Sequence, residues 1–414
     1  MQFDGVPLDF ILIGLVLYTV LAGADFGAGL WQLLAGRGPT AERVRDHAHH
    51  AIAPVWEANH VWLVFVLTVT WTAYPIAFGS IASTLSVPLF IAAIGIIFRG
   101  ASYALQAGVS GPHERRVVEN VFALSSILTP FALGAAVGGI ASARVPVGNA
   151  AGNLWSSWLN PTSNLVGVLA VALSAFLAAV YLCADAHRLG EPDLERSFRR
   201  RALVSGMVTG ALAIAGLAVL RADAPVLGHR LIAGPGLPAI VVSVLAGLGT
   251  LLLVWRRRYG EARVSAALAV AAIVVGWALA QRPNILPGLT VQQAAAPTDT
   301  LIGVVVAVLA GAVILFPSLA LLFSFVLGGR FDPDRATGAG VPIGRGRRVS
   351  GNRGFAGRVA AALAIAGTGL LTVASAEWAH ALGVACFAGF VVAGFHAAAP
   401  AEVVAADTDG PSGR

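Results

Sequence analysis

Long runs of apolar residues recur along the chain and constrain its fold more than any other feature. A helix needs about 17–25 mostly apolar residues to cross a bilayer. Eleven runs meet this length, at about 8–34, 54–76, 81–107, 118–140, 164–186, 203–220, 238–255, 264–281, 300–327, 358–376 and 379–397. No alternating pattern of about ten residues, typical of a membrane β-barrel, accompanies them. The runs predict an all-α fold, a polytopic transmembrane helical bundle.

Charged residues are scarce compared with those of soluble proteins. They make up 12% of the 414 residues, against about a quarter in a soluble domain. All 27 basic residues are Arg, and they are not interleaved with aromatic residues as in a nucleic-acid groove. We therefore predict no nucleic-acid partner. Cys183 and Cys386 stand alone in apolar runs, which predicts small core residues and not a metal or haem-attachment motif.

The Arg residues are distributed unevenly between the loops. Loops after odd-numbered runs hold 21 of them, whereas loops after even-numbered runs hold four. Loops rich in Lys and Arg face the cytoplasm. The N-terminus is therefore predicted to lie outside and the large basic loops inside.

Four segments are predicted along the chain. Residues 1–328 contain the first nine runs and form the main membrane domain. Residues 329–357 are rich in Arg and Gly and are predicted to be a cytoplasmic linker. Residues 358–397 hold the last two runs as an extra transmembrane hairpin, and residues 398–414 are predicted to be a disordered tail.

The second apolar run opens with an unusually polar stretch. Residues 54–62 read PVWEANHVW, in which Glu57 and His60 are three apart and share a face of a helix. Glu57 alone would be an ordinary first-turn acid. Trp56 and Asn59 extend the polar face inward, however, and a polar face in a membrane needs a partner or a water-filled path. The stretch is therefore a candidate functional site.

Two charged residues lie deeper in the predicted membrane. Asp25 is about 14 Å and Arg99 about 12 Å from the inner ends of the first and third runs, at 1.5 Å per residue. Because a buried charge must be paired, we predict that the two form an ion pair. The residues leave two roles open: a structural clamp, or a protonatable relay in which Arg99 tunes Asp25.

Histidines near these acids suggest a route for protons. His47, His49 and His50 precede the second run, in what is predicted to be a solvated cytoplasmic loop. From there the pattern leads through Glu57 and His60 to Asp25, partway across the membrane. Three histidines could in principle ligate haem iron: His60, His380 and His396. No run offers a facing pair, so we predict that this chain alone holds no metal and no haem.

Several of these stretches resemble subunit II of the cytochrome bd quinol oxidases. They are residues 23–27 (GADFG), residues 52–62 (IAPVWEANHVW), Phe98-Arg99, and residues 289–297 ahead of the ninth run. The resemblance covers about residues 5–328, and the stretch at 52–62 is its most specific part.

The resemblance implies a respiratory enzyme of the bacterial inner membrane that oxidises quinol and reduces oxygen to water. Haem b, haem d and the quinol would lie in a partner, subunit I. This chain would contribute nine core spans, arranged as two four-helix bundles plus one helix, and no catalytic residue. It would scaffold subunit I and supply cytoplasmic protons. Membrane lipid and a structural quinone are further implied partners, to which no residue is assigned.

The family's polar residues carry over with one gap. Glu57 matches the acid after Trp in span two, usually Asp, and Arg99 matches the Arg of span three. Asp25 matches the second Asp of the span-one motif, whereas Ala22 stands where the first Asp usually lies. One carboxylate of a two-acid relay is thus missing. The hairpin at 358–397 also goes beyond the family's nine-helix plan.

A secondary transporter of a cation or small solute is the alternative interpretation. Such proteins carry acids near the middle of the membrane, usually in two matching halves with broken helices. Here the acids cluster in the first two runs and have no counterpart in runs five to eight. The pattern favours the oxidase subunit.

Overall fold

The computed structural model describes residues 3–36, 38–52, 56–106 and 111–327, with isolated positions between 358 and 389. Its helices are α1 Val6–Leu33, α2 Pro39–Ile52, α3 Trp56–Ala73, α4 Pro75–Thr84, α5 Ser86–Gln106, α6 Pro112–Ala141, α7 Pro161–Arg188, α8 Pro192–Asp223, α9 Pro225–Ile232, α10 Leu237–Trp255, α11 Tyr259–Gln281, α12 Val291–Ala294 and α13 Thr298–Leu327. Strands β1 (Asn284–Leu286) and β2 (Leu289–Thr290) pair antiparallel. Residues 1–321 and 322–414 form two compact units.

Within the described part, seven helices are long and apolar enough to cross a membrane: α1, α5, α6, α7, α8, α10 and α11. Two more, α3 and α13, hold shorter apolar stretches, Asn59–Ala73 and Thr298–Ile314. The helical membrane class is confirmed, and these helices overlap the first nine predicted runs. The number of spans and their grouping into bundles stay predictions. The runs at 358–376 and 379–397 fall almost wholly outside the described residues.

Proline sets where many of the helices begin. It occupies the first position of α2, α4, α6, α7, α8 and α9, where its missing N–H would be unpaired in any case. The predicted run 54–76 is therefore too long, because α3 ends at Ala73 and Pro75 opens α4. The run at 81–107 is likewise divided between α4 and α5, and α5 begins at Ser86.

Helix α7 lies at the centre of the bundle and packs against α1, α6, α8 and α11. Small residues allow the close approach. A Cβ added at Gly27 of α1 would overlap the backbone carbonyl of Ser174, and one added at Gly138 of α6 would lie 2.5 Å from Ser163 Cα. No larger side chain fits either position, so the two glycines fix how closely α1 and α6 contact α7.

Helix α2 corrects the prediction of a solvated loop around His47. Ala41, Val44 and Ala48 are buried and, at helical spacing, form an apolar stripe that packs on α1 and α7. His47 is buried with them, and its Nε2 lies 3.1 Å from the carbonyl oxygen of Leu182. The apolar stripe outweighed the polar composition of the segment. We call this side of the bundle the α2 end. The opposite side carries the β-hairpin formed by β1 and β2, and we call it the hairpin end; the name does not refer to residues 358–397.

Candidate functional site

Asp25 and Arg99 form an ion pair in the interior of the bundle. Arg99 Nη2 donates to Asp25 Oδ1 at 2.5 Å and to the backbone carbonyl of Asp25 at 2.9 Å. The two side chains are 1% and 0% exposed. An unpaired charge at this depth would be strongly destabilising, so each side chain compensates the other. The structure thus joins the two residues as predicted, and their role stays a prediction.

Helix α6 holds the other side of the Arg99 guanidinium. Arg99 Nη1 donates to Ser126 Oγ on this helix. The ring of Phe122 lies 4.2 Å and that of Phe26 lies 5.2 Å from the guanidinium carbon, centroid to atom. Arg99 is therefore bound by hydrogen bonds at both terminal nitrogens and by cation–π contacts on its faces. The sequence analysis did not identify Ser126, because a serine in an apolar run is unremarkable by itself.

Gly29 makes room for this arrangement. It follows Asp25 by one helical turn and so lies on the same face of α1. A Cβ added there would overlap Ser126 Oγ and lie 3.0 Å from Arg99 Nη1. The spacing of Asp25 and Gly29 in the GADFGAG segment was the available signal for a crowded face of α1.

Helix α3 brings a second polar residue to α1. Asn59 is fully buried, and its Nδ2 donates to the carbonyl oxygen of Leu21 at 3.3 Å. His60, the next residue, is half-buried. The side chains of Trp56 and Glu57 lie outside the described residues, so their predicted roles are not tested. The structure does place the backbone of Glu57 in the first turn of α3.

Polar atoms on these helices are buried without a hydrogen-bond partner among the residues the structure describes. They include the Tyr18 hydroxyl, Asp25 Oδ2, Asn59 Oδ1 and Arg99 Nε. Tyr18 lies within electrostatic range of Asp25 and Arg99. Buried polar atoms are costly unless they are hydrogen-bonded, and ordered water commonly bonds those that protein leaves over. The region around Asp25 therefore contains hydrogen-bond donors and acceptors that are left for ordered water to bond. Tyr18, two turns before Asp25, was also missed from the sequence.

The family model of cytochrome bd terminal oxidase subunit II matches residues 8–326. The chain belongs to this family. The cytochrome bd-I ubiquinol oxidase subunit 2 of Escherichia coli K12 is 26% identical over 221 residues, which cover 51% of this chain and 56% of that protein. The cytochrome bd ubiquinol oxidase subunit 2 of Bacillus subtilis 168 is 28% identical over 129 residues, or 31% and 37% of the two chains. The matches thus span about half or less of these relatives.

A solved structure supports the fold of this bd oxidase subunit II family member. A chain of the bd oxidase from Geobacillus thermodenitrificans superposes with a TM-score of 0.65 at 24% identity. The match covers 79% of this chain and 99% of that chain. At this identity the likeness establishes the fold alone.

The position at which the family's first span-one Asp would lie is packed with apolar side chains. Ala22 is 1% exposed and clusters with Tyr18 and Phe26 on α1. Trp62 of α3 and Leu133 of α6 pack against the same cluster. Ala22 thus contributes no polar group to this cluster, and Asp25 is the buried acid that α1 provides inside the bundle.

No group of three or more His, Cys, Asp or Glu side chains within the described ranges is arranged to hold a metal ion. Of the three histidines considered for haem, only His60 lies in those ranges, since His380 and His396 fall outside them. That the chain binds no cofactor alone stays a prediction.

At each end of the bundle a small group of hydrogen bonds and ion pairs connects neighbouring helices, and we call each group a joint. At the hairpin end, Arg144 donates to both carboxylate oxygens of Asp223 at 2.6 and 2.8 Å, and this bond raises the pKa of Arg144. At the α2 end, Glu195 accepts from the Tyr259 hydroxyl at 2.7 Å and lies 3.0 Å from His187 Nδ1. These bonds connect helices and lie away from Asp25.

Proposed function

We propose that the chain is subunit II of a cytochrome bd-type quinol:oxygen oxidoreductase in the cytoplasmic membrane of a bacterium. The family match over residues 8–326 and the shared fold support this assignment. Subunit I is the partner that carries haem b, haem d and the quinol site. The present chain scaffolds that partner through its membrane helices, together with lipid and a structural quinone.

We further propose that the chain supplies protons for the reduction of oxygen to water. The observation that carries this proposal is the state of Asp25: Oδ1 is paired with Arg99, while Oδ2 is buried with no hydrogen-bond partner among the described residues. A carboxylate with one oxygen held and one oxygen available can take up a proton and pass it on without leaving its place. A clamp alone would not require the second oxygen to stay unpartnered in an apolar interior.

The route begins at the α2 end, which the Arg distribution predicts to face the cytoplasm. Glu57 and His60, in the first turns of α3, receive protons there and pass them toward Asp25. Because oxygen reduction consumes protons, uptake from the cytoplasm combined with release from quinol outside separates charge without a pump. Ala22 removes one acid from the family's pattern, so Asp25 alone acts at that level.

The assignment is tested by purifying the chain from its native membrane in mild detergent. We expect it to bring down a partner whose reduced spectrum shows haem d. A lone, colourless protein that transports a solute would instead establish the secondary transporter.

The proton role is tested by Asp25→Asn and Glu57→Gln in the purified complex. We expect slower oxygen uptake per haem, because both amides are isosteric with the acids but cannot carry the proton. The rate is expressed per haem because Asp25→Asn also leaves the Arg99 charge without its partner. Asp9→Asn is a matched control on α1, since Asp9 is half exposed and pairs with Arg282 at the hairpin end. Turnover at the Asp9→Asn rate in both variants would leave only the structural clamp.

A further inference from the structure

We propose that Ser126 is a positioning residue that orients Arg99 so that Asp25 Oδ1 is occupied and Oδ2 stays available for the proton. This inference rests on the proposed proton role of Asp25. It extends that role to α6, from which neither the sequence motifs nor the family comparison assigns a functional residue.

The hydroxyl of Ser126 is a fixed acceptor. It donates its proton to the carbonyl oxygen of Phe122, one turn earlier on α6, at 2.6 Å. A hydroxyl has only one proton to donate, so its lone pairs are left to accept. Arg99 Nη1 donates to them. Ser126 is 1% exposed, so this bond lies away from bulk solvent.

The guanidinium is planar, so the contacts at its two terminal nitrogens define its orientation. Ser126 holds Nη1, and Asp25 holds Nη2 through both Oδ1 and its backbone carbonyl. The ring of Phe122 packs against one face at 4.2 Å. In this orientation Arg99 makes a single side-chain bond to Asp25, and no described residue bonds Oδ2.

Removal of the Ser126 hydroxyl leaves Nη1 as a buried donor with no acceptor. The most favourable replacement is Asp25 Oδ2, because Arg and carboxylate groups readily form two parallel hydrogen bonds. Rotation of the guanidinium into this forked pair would occupy the oxygen that carries the proton and hold Asp25 ionised. Proton delivery would then slow although both charges remain paired.

Ser125 is a matched control. It precedes Ser126 on α6, is 4% exposed, and donates to the carbonyl oxygen of Val121 at 2.8 Å. Replacement by Ala deletes the same atom and the same type of helical bond at either position. Of the two serines, Ser126 is the one that bonds Arg99, so a difference between the two variants isolates that bond.

The experiment compares the purified wild-type complex with its Ser126→Ala, Ser125→Ala and Asp25→Asn variants. Haem content, kcat and the KM for quinol are measured, together with the infrared band of the Asp25 side chain, protonated or ionised, that Asp25→Asn abolishes. We expect Ser126→Ala to lower kcat about tenfold, the loss that corresponds to one charge-assisted hydrogen bond. The KM for quinol and the haem content should be unchanged, and the Asp25 band should shift or disappear. Ser125→Ala should match the wild type.

Ser126→Cys provides a second variant if the alanine variant does not assemble. The thiol keeps the volume of the side chain but accepts hydrogen bonds only weakly, so we expect a smaller loss of kcat in the same direction. An assembled Ser126→Ala or Ser126→Cys complex with the kcat and Asp25 band of Ser125→Ala would overturn the positioning role.

The outcome for Asp25→Asn separates the two proposals. If Asp25→Asn is slow and the assembled Ser126 variants turn over normally, only the positioning role fails. If Asp25→Asn turns over at the wild-type rate, the proton role itself fails, whatever the Ser126 variants do.

Discussion

At the scale of single residues, the Asp25–Arg99 pair removes two charges from an apolar interior. Each charge is tolerable there because the other is present, at 2.5 Å. The consequence is asymmetric: removal of one partner leaves a buried charge unpaired, whereas removal of both leaves no buried charge.

This asymmetry predicts how the stability of the complex responds to substitution. Arg99→Leu should lower the free energy of unfolding by about 3–5 kcal/mol, because it leaves the buried Asp25 carboxylate without its partner. The double variant Arg99→Leu with Asp25→Asn should recover most of that loss. Thermal unfolding of both variants, followed by the release of haem, measures the difference. A double variant less stable than Arg99→Leu would show that the pair does not carry the effect.

The sequence could identify Asp25 and Arg99 because charges within the apolar runs are few. It could not identify Ser126, Gly29 or Tyr18 as their neighbours. Gly occurs 48 times in the chain, and Ser126 and Tyr18 carry no charge that would distinguish them within an apolar run. What distinguishes these three residues is which side chains of neighbouring helices they meet, and helical spacing alone does not specify which faces meet.

At the scale of elements, apolar runs predicted the centres of the helices but not the residues at which the helices begin and end. The boundary at Pro75 depends on a missing N–H, which interrupts the helical ladder without changing hydropathy. Helix α2 escaped prediction because a window suited to membrane spans averages its polar and apolar faces together. Tertiary packing of Val44 and Ala48 on α1 and α7 decided its structure.

The joint between Arg144 and Asp223 is expected to stabilise the hairpin end. Asp223 ends α8 and also accepts from the Thr162 hydroxyl at 2.6 Å, so Arg144→Ala breaks a link among the loop after α6, α7 and α8. We expect a lower melting temperature for Arg144→Ala than for Arg221→Ala. Arg221 lies in the last turn of α8 and makes no ion pair within the described ranges, so the two variants lose the same charge. Equal melting temperatures would assign the joint no role in stability.

At the scale of the whole molecule, the Arg distribution predicts which end of the bundle faces the cytoplasm. Cysteines introduced by Glu42→Cys on α2 and Ala151→Cys in the loop after α6 are both on exposed positions. In a chain without Cys183 and Cys386, a membrane-impermeant thiol reagent should label Ala151→Cys in intact spheroplasts. It should label Glu42→Cys only after the membrane is opened. The reverse pattern would invert the topology and place the proposed proton entrance outside.

The close contact of Gly27 with the backbone of Ser174 has an electrical consequence. A water molecule needs a space of about 10–15 Å³ accessible to its centre, and the two helices leave none where their backbones meet. At this contact α1 and α7 therefore leave no room for a water molecule, so no water-filled path for ions runs between them there. If Asp25 carries protons as proposed, the water that serves it must reach it from a side of α1 that does not face this contact.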